Sequence, residues 1–189
     1  NPIYPAAVVA GNVETSQAVT DCIFGALQLQ AGAQGTMNNF TFGDSQHQYY
    51  ETIAGGSGAG NDFNGCDAVQ THMTNSRLTD PEIIEQNFPV IIEQFAIREN
   101  SGGLGQYNGG NGLIRRFRFL QPMTVSLLTN NRKNQPFGIY GGAPGQSGQN
   151  LLIEDDEIKV LPASCQLEVS ANQSVEIRTP GGGGYGKPT

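Results

Sequence analysis

The sequence predicts an α+β protein that is mainly β, with antiparallel strands, one long N-terminal helix and Gly-rich loops. Three observations support this class: one segment with helical spacing of apolar residues, many short runs that alternate apolar and polar residues, and 26 glycines in 189 residues. With 37% hydrophobic residues, the chain can bury a core as one domain spanning 1–189. Residues 151–189 are predicted to form a β-rich terminal subregion.

The helix is predicted from Val13 to about Gln30, with Asn12 as its N-cap. The residues at helical spacing, and therefore the expected packed face, are Val19, Cys22, Ile23, Ala26 and Leu27. The residues left for solvent are Glu14, Gln17 and Asp21.

Short strands are predicted after this helix. The runs are MNNFTF, YYETI, VIIEQFAI, LIRRFRF, MTVSLLT, NLLIEDDEIKVL, CQLEVS and QSVEIRT. A short second helix is predicted over Asp80–Asn87, because Asp80 precedes a proline suited to the first helical position and Pro89 ends the segment.

Charge and cysteine usage exclude several classes of protein. The formal net charge is −7 and no basic stripe with interleaved aromatics is present, which argues against nucleic acid as a partner. No apolar run approaches 18 residues, which argues against a membrane partner. Cys22, Cys66 and Cys165 are odd in number and widely spaced, so we predict buried free thiols and a cytoplasmic protein.

The sequence predicts no cofactor bound by this chain and no metal site. The tail TPGGGGYGKP nearly spells a phosphate-binding loop, but Pro188 stands where the loop needs Ser or Thr. The two histidines, His47 and His72, lack a second histidine at helical spacing, and His47 is predicted to be a solvated loop residue.

Two polar runs are candidates for a site. In YYETI, Glu51 is either a general base or an outward strand residue. In THMTNSRLTDPE, His72, Asn75 and Arg77 either form a satisfied polar loop or a surface in which Arg77 binds a carboxylate or phosphate.

Six collinear segments resemble the hydantoinase B/oxoprolinase family. They are GTMNNFTFG at 35–43, YYETIAGGSGAG at 49–60, THMTNSRLTDPE at 71–82, ENSGGLGQYNGGNG at 99–112, YGGAPGQSGQN at 140–150 and TPGGGGYG at 179–186. In that family the matching segments form roughly the C-terminal third of a much longer polypeptide. The resemblance therefore implies the C-terminal portion of an ATP-dependent enzyme that hydrolyses a cyclic amide through a phosphorylated lactam.

The resemblance also implies partners and roles. ATP would be bound by a hydantoinase A-like component and a divalent metal by the rest of the B component, in an oligomeric assembly acting on a small cyclic amide. The implied catalytic bases are Glu51 and His72. The implied substrate-binding residues are Asn38, Asn39, Gly55, Gly56, Asn75 and Arg77.

Two further interpretations stay open at this stage: a fragment of a related ATP-dependent carboxylase, and a noncatalytic β-rich assembly or binding module. If the two polar runs form one site, Glu51, His72, Asn75 and Arg77 should line one cleft. The tail TPGGGGYG should pack against the domain, because free glycines would add only an entropy cost.

Overall fold

A computed structural model describes residues 13–155 and 157–188. Its elements are α1 (Glu14–Ala26), β1 (Asn39–Gly43), β2 (Gln48–Thr52), α2 (Pro81–Asn87), β3 (Val90–Arg98), β4 (Gly112–Phe119), β5 (Met123–Leu128), β6 (Gln149–Glu154), β7 (Glu157–Leu161), β8 (Ser164–Val169) and β9 (Ser174–Arg178). Each predicted run contains a strand, and the run NLLIEDDEIKVL forms two. The mainly β class is confirmed.

The strands form two antiparallel sheets. One has the order β2-β1-β5-β8 and the other has the order β3-β4-β9-β6-β7. The terminal strands divide between them, since β8 pairs with β5 while β9 lies between β4 and β6. The inner faces of the two sheets meet in an aromatic core, in which the ring centroids of Phe40 and Phe117 lie 4.6 Å apart. Alternation along β4 and β5 places every second side chain in this core.

Helix α2 begins as the sequence predicts. The Asp80 side chain accepts a hydrogen bond from the backbone amide of Glu82 at 3.0 Å, and Pro81 occupies the first turn. Ile84 is its buried residue, and the helix leads directly into β3.

Helix α1 is shorter than predicted, and the face that it buries is the one that was predicted to face solvent. The buried residues are Glu14, Gln17 and Asp21, which the sequence assigned to solvent. The expected packed face is exposed, with Val19 and Ile23 each 50% accessible. The predicted cap, Asn12, lies outside the described residues.

The reversal has a local cause in backbone hydrogen bonding. The Glu14 carboxylate accepts from the amide of Met37 at 2.7 Å, and the Asp21 carboxylate accepts from the amide of Ala33 at 3.0 Å. Backbone donors that lack a partner are costly to bury, so these carboxylates must face the loop that follows the helix.

The cysteine prediction is wrong in part. Cys22 lies on the outward face of α1 and Cys66 lies in a loop, and both are exposed, whereas Cys165 is half-buried. All three are free thiols. His47, predicted to be solvated, is partly buried beside the Asp44 carboxylate, with 3.1 Å between Nδ1 and Oδ1.

The C-terminal glycines pack against the domain, which confirms the prediction for the tail. Residues 179–184 are all buried. Gly182 donates to the carbonyl of Gly110 at 2.8 Å and accepts from the amide of Gly103 at 2.8 Å, while Gly183 donates to the carbonyl of Gly32 at 2.8 Å. The tail therefore joins the loop between β3 and β4 to the loop between α1 and β1 through backbone hydrogen bonds.

Candidate functional site

A cavity of about 260 Å³ lies between the end of β2 and the loop that precedes α2. Both polar runs singled out from the sequence contribute to its wall. The lining residues are Val13, Met37, Tyr50, Glu51, Thr52, Met73, Thr74, Asn75, Ser76, Arg77 and Thr79. The hydroxyls of Thr52 and Ser76 hydrogen-bond to each other and tie the two runs together.

Glu51 forms the buried end of this cavity. It faces inward from β2 and is 5% exposed, so the alternative of an outward strand residue is wrong. Its Oε1 accepts from Nε of Arg115 at 2.8 Å, and its Oε2 accepts from the hydroxyl of Tyr49 at 2.6 Å. Burial raises the pKa of Glu51, while Arg115 and Tyr49 act in the opposite direction.

Arg115 is itself fully buried. Its Nη2 donates to the carbonyl of Thr79 at 2.8 Å, and its guanidinium lies 4.5 Å from the ring centroid of Phe95. Its Nη1 has no hydrogen-bond partner among the described residues. Burial also raises the pKa of Tyr49 far above its usual range, so its hydroxyl stays protonated and donates to Glu51.

Asn75 and Arg77 form the accessible part of the wall. Both side chains are exposed. Among residues 13–155 and 157–188, Arg77 has no carboxylate within ion-pair distance. Its guanidinium can therefore donate two parallel hydrogen bonds to an incoming carboxylate or phosphate.

His72 does not line the cavity. Its Nε2 lies 2.9 Å from Oδ1 of Asp21 on α1, and its ring packs edge-on against Phe24 at 5.5 Å between centroids. The backbone of His72 has φ 53°, in the left-handed region, which turns its side chain toward the helix. Of the four residues expected in one cleft, the structure brings together Glu51, Asn75 and Arg77.

The other predicted substrate-binding residues also lie outside the cavity wall. Asn38 is buried and donates from Nδ2 to the carbonyl of Ile53 at 3.0 Å. Asn39 starts β1 and is partly buried.

The pair Gly55 and Gly56 packs tightly within the protein. The amide of Gly56 donates to the carbonyl of Pro180 at 3.0 Å, so it is not free for a substrate. A Cβ at Gly55 would lie 2.1 Å from Oε1 of Gln34. These glycines therefore serve close backbone packing.

Sequence reasoning missed Tyr49 and Arg115. A signal for Arg115 is present, because alternation along LIRRFRF places it on the same face as Leu113 and Phe117. An arginine on an inward face requires a buried partner. The sequence does not show that this partner is Glu51, which is 64 residues away.

Acidic, histidine and cysteine side chains are scattered over the described part of the chain. Across residues 13–155 and 157–188, no group of three or more of these side chains is placed to hold a metal ion. In the same residues, no helix combines the length and the apolar character needed to cross a membrane.

Fold and cavity together define a two-sheet β domain that carries a pocket with a buried carboxylate and an exposed arginine. The profile of the hydantoinase B/oxoprolinase family matches residues 1–188, and the chain belongs to that family.

The relatives are much longer proteins. The chain is 50% identical over 187 residues to 5-oxoprolinase 1 of Arabidopsis thaliana, and 48% identical over 188 residues to 5-oxoprolinase of Dictyostelium discoideum. These matches cover 98% and 99% of this chain but only 15% of each relative. It is 44% identical over 207 residues to 5-oxoprolinase of Saccharomyces cerevisiae, covering 99% of this chain and 16% of that relative.

Two solved structures share the fold. The first is an ATP-dependent caprolactamase from Pseudomonas jessenii, with a TM-score of 0.72 at 22% identity. The match covers 87% of this chain and 32% of the caprolactamase chain. The second is a nucleotide-free acetone carboxylase, with a TM-score of 0.67 at 21% identity. The match covers 87% of this chain and 28% of the carboxylase chain.

Proposed function

We propose that this chain is the C-terminal portion of an ATP-dependent cyclic-amide hydrolase of the 5-oxoprolinase or N-methylhydantoinase type. Its cavity would receive a lactam whose carbonyl oxygen has been phosphorylated. The observation that carries the proposal is the joint placement of Glu51, Asn75 and Arg77 around one cavity, with the arginine exposed and without an acidic partner among the described residues. The similarity to the 5-oxoprolinases supports the substrate class.

The proposed roles of Arg77, Asn75 and Glu51 follow from their positions in the cavity wall. Arg77 would bind the phosphoryl group through two parallel hydrogen bonds, and Asn75 would donate to the oxygen that becomes negative. Water would add to the activated carbon, and the C–N bond would break as the ring nitrogen leaves with a proton as an amine. A second water would then hydrolyse the resulting acyl phosphate to a carboxylate and free phosphate. Glu51 would accept the proton of the water, because it is the carboxylate that lines the cavity.

Partners of the proposed assembly are a hydantoinase A-like component, which would bind ATP and transfer the phosphoryl group, and the remainder of the B component. The divalent metal of the assembly would be held by that remainder. His72, Asn38, Asn39, Gly55 and Gly56 would support the domain rather than touch the substrate, since none of them lines the cavity.

The test is a chimera in which this chain replaces the matching segment of the Arabidopsis relative. We expect the chimera to release ADP when 5-oxoproline is added, and hydantoin assayed in parallel would distinguish the two substrate types. A ketone-dependent release of ADP would favour a related carboxylase instead. A folded chimera that responds to none of these substrates, beside an active parent, would overturn the proposal.

In the active chimera, Arg77→Ala is expected to lower turnover by roughly tenfold or more, equivalent to about 1.4 kcal/mol of lost transition-state stabilisation. The matched control is Arg118→Ala, which removes a partly exposed arginine paired with Glu93 at 2.8 Å and away from the cavity wall. Unchanged turnover in Arg77→Ala would show that THMTNSRLTDPE is a structural polar loop and not part of the site.

The isolated chain should show no ATP hydrolysis and no turnover of 5-oxoproline or hydantoin, with magnesium or manganese added.

A second candidate function, a noncatalytic assembly module, has its own supporting observation. The outward face of α1 is apolar. Its exposed members are Val19, Cys22, Ile23, Ala26 and Leu27. An isolated surface helix normally shows the opposite pattern, so such a face is typical of a contact with further polypeptide.

We expect Ile23→Glu to weaken association of this chain with the separately expressed remainder of the Arabidopsis relative by about tenfold or more. A charge placed in an apolar contact would have to be buried without a partner. Gln166→Glu adds the same charge at an exposed position of β8 and is the control. Equal co-elution of both variants in size-exclusion chromatography would contradict a role for α1 in assembly.

A further inference from the structure

A second cavity, of about 380 Å³, lies on another part of the domain. Its wall comes from the loop after β5, the start of β6 and the end of β7 with the turn that follows. The lining includes Arg132, Lys133, Ser147, Asn150, Val160 and Pro162. None of them lines the cavity that contains Glu51.

The lining contains two cationic side chains, Arg132 and Lys133, and no acidic one. This balance differs from that of the whole chain, whose formal net charge is −7. Five side-chain amides and one hydroxyl add neutral hydrogen-bonding groups to the wall. A cavity with this composition attracts an anion that accepts hydrogen bonds.

Arg132 is held in place by neutral acceptors. Its Nε donates to Oδ1 of Asn150 at 3.0 Å, its Nη2 donates to Oδ1 of Asn38 at 2.9 Å, and its Nη1 donates to the carbonyl of Asn130 at 2.8 Å. A guanidinium has five N–H groups, so these bonds leave two for a ligand. The positive charge is thereby oriented without being neutralised by a contacting carboxylate.

A second arginine, Arg98, contacts the backbone of this wall. The Nη1 of Arg98 donates to the carbonyl of Ser147 at 2.8 Å, and a Cβ at Gly148 would lie 2.4 Å from Nη1 of Arg132. Burial lowers the pKa of Arg132 to about 9; Glu14 opposes this and Arg98 adds to it. Arg132 thus remains charged at neutral pH, in surroundings where a bound anion would relieve repulsion.

We propose that this cavity is a binding site for a small oxyanion, a carboxylate or a phosphate group, held by Arg132 and Lys133. The guanidinium of Arg132 supplies two directed donors, and Lys133 supplies a mobile ammonium group at the rim. Val160 and Pro162 add to the lining an apolar surface that fits a short carbon skeleton attached to the anion. The site is separate from the proposed catalytic cavity and does not depend on the proposed function.

The test is a titration of the 189-residue chain, followed by amide chemical shifts in NMR spectra. Sodium phosphate and sodium acetate are the two probes, each at constant ionic strength. We expect saturable shifts confined to the residues that line this cavity, with a dissociation constant in the millimolar range. Tighter binding of phosphate assigns the site to phosphate groups, and tighter binding of acetate assigns it to carboxylates.

Two variants distinguish this site from general attraction of anions. Arg132→Gln is expected to weaken binding by roughly tenfold, and Lys133→Gln by about threefold. The second variant guards against misfolding in the first, because Lys133 is exposed whereas Arg132 also bonds Asn38 and Asn150. Lys187→Gln makes the same substitution at an exposed residue outside the cavity and should bind as the parent does.

The proposal is overturned if neither probe gives saturable shifts in the lining residues. It is equally overturned if Lys133→Gln and Arg132→Gln, both folded, bind phosphate and acetate as tightly as Lys187→Gln. Shifts that appear at many unrelated surface residues and scale with ionic strength would indicate counter-ion attraction without a site, and would overturn it too.

Discussion

Replacing Arg115 with methionine is expected to lower the free energy of unfolding by about 3–5 kcal/mol, because it leaves the Glu51 carboxylate buried without its cationic partner. Arg115 is fully buried and Glu51 is 5% exposed, so the carboxylate is mostly shielded from bulk solvent, and water in the cavity compensates only in part for the lost guanidinium. Urea denaturation of the 189-residue chain measures the change. Arg118→Met is the control, because the Arg118–Glu93 pair is partly exposed and should be worth about 1 kcal/mol or less.

The pH dependence of Arg115→Met tests the same cause. Burial raises the pKa of Glu51 above its ordinary value of 4.5, and removing the guanidinium that opposes this shift raises it further. Between the pKa of Glu51 in the unfolded chain and its higher pKa in the folded variant, only the folded variant holds the proton. The free energy of unfolding of the variant therefore falls as the pH rises through this range. The loss should therefore be smaller at about pH 4 than at about pH 7.5. Glu51→Gln/Arg115→Met should recover part of the stability, and a pH-independent loss would show that the carboxylate is not its source.

Gly182→Ala is expected to lower the free energy of unfolding by about 3 kcal/mol or more. A Cβ at this position would lie 1.9 Å from the carbonyl oxygen of Ser57, and the neighbouring atom is backbone that cannot turn away. The backbone bonds of Gly182 to Gly110 and Gly103 fix it in place, so relieving the clash would separate the loops that the tail joins. The same urea measurement gives the result.

Gly25→Ala is the matched control. A Cβ at Gly25 would meet only the ring of Phe137, at 2.7 Å, and that side chain is exposed enough to rotate. Alanine also favours the helix over glycine by about 1 kcal/mol, so this variant should be within about 1 kcal/mol of the parent. If Gly182→Ala were equally mild, the tail would not be the close-packed element that its burial indicates.

Local pattern was sufficient to predict the strands and the second helix. Alternation in MTVSLLT specified β5, and the Asp80-Pro81 pair specified the start of α2. Both depend on interactions between residues close in sequence. The pairing order of the strands depends on contacts between distant segments, and the sequence did not predict that β9 separates β4 from β6.

The candidate site was predictable in part. The expectation that YYETI and THMTNSRLTDPE line one cleft holds for Glu51, Asn75 and Arg77, which line one cavity. The sequence pattern did not show where the side chain of His72 points. In the structure it contacts Asp21 and does not line the cavity. The cavity lined by Arg132 and Lys133 had a local signal in the adjacent cations of TNNRKNQP, but its acid-free wall comes from three separate segments.

The sequence by itself determined the mainly β class, the position of most strands and the need for glycine in the tail, because these follow from residue spacing and backbone geometry. The tertiary structure decided which face of α1 is buried and which partner Glu51 has. Periodicity shows that a helix has two unlike faces, but not which groups the neighbouring loop presents to it. Here the loop presents backbone amides, and their need for acceptors turned Glu14 and Asp21 inward and left Val19 and Ile23 exposed.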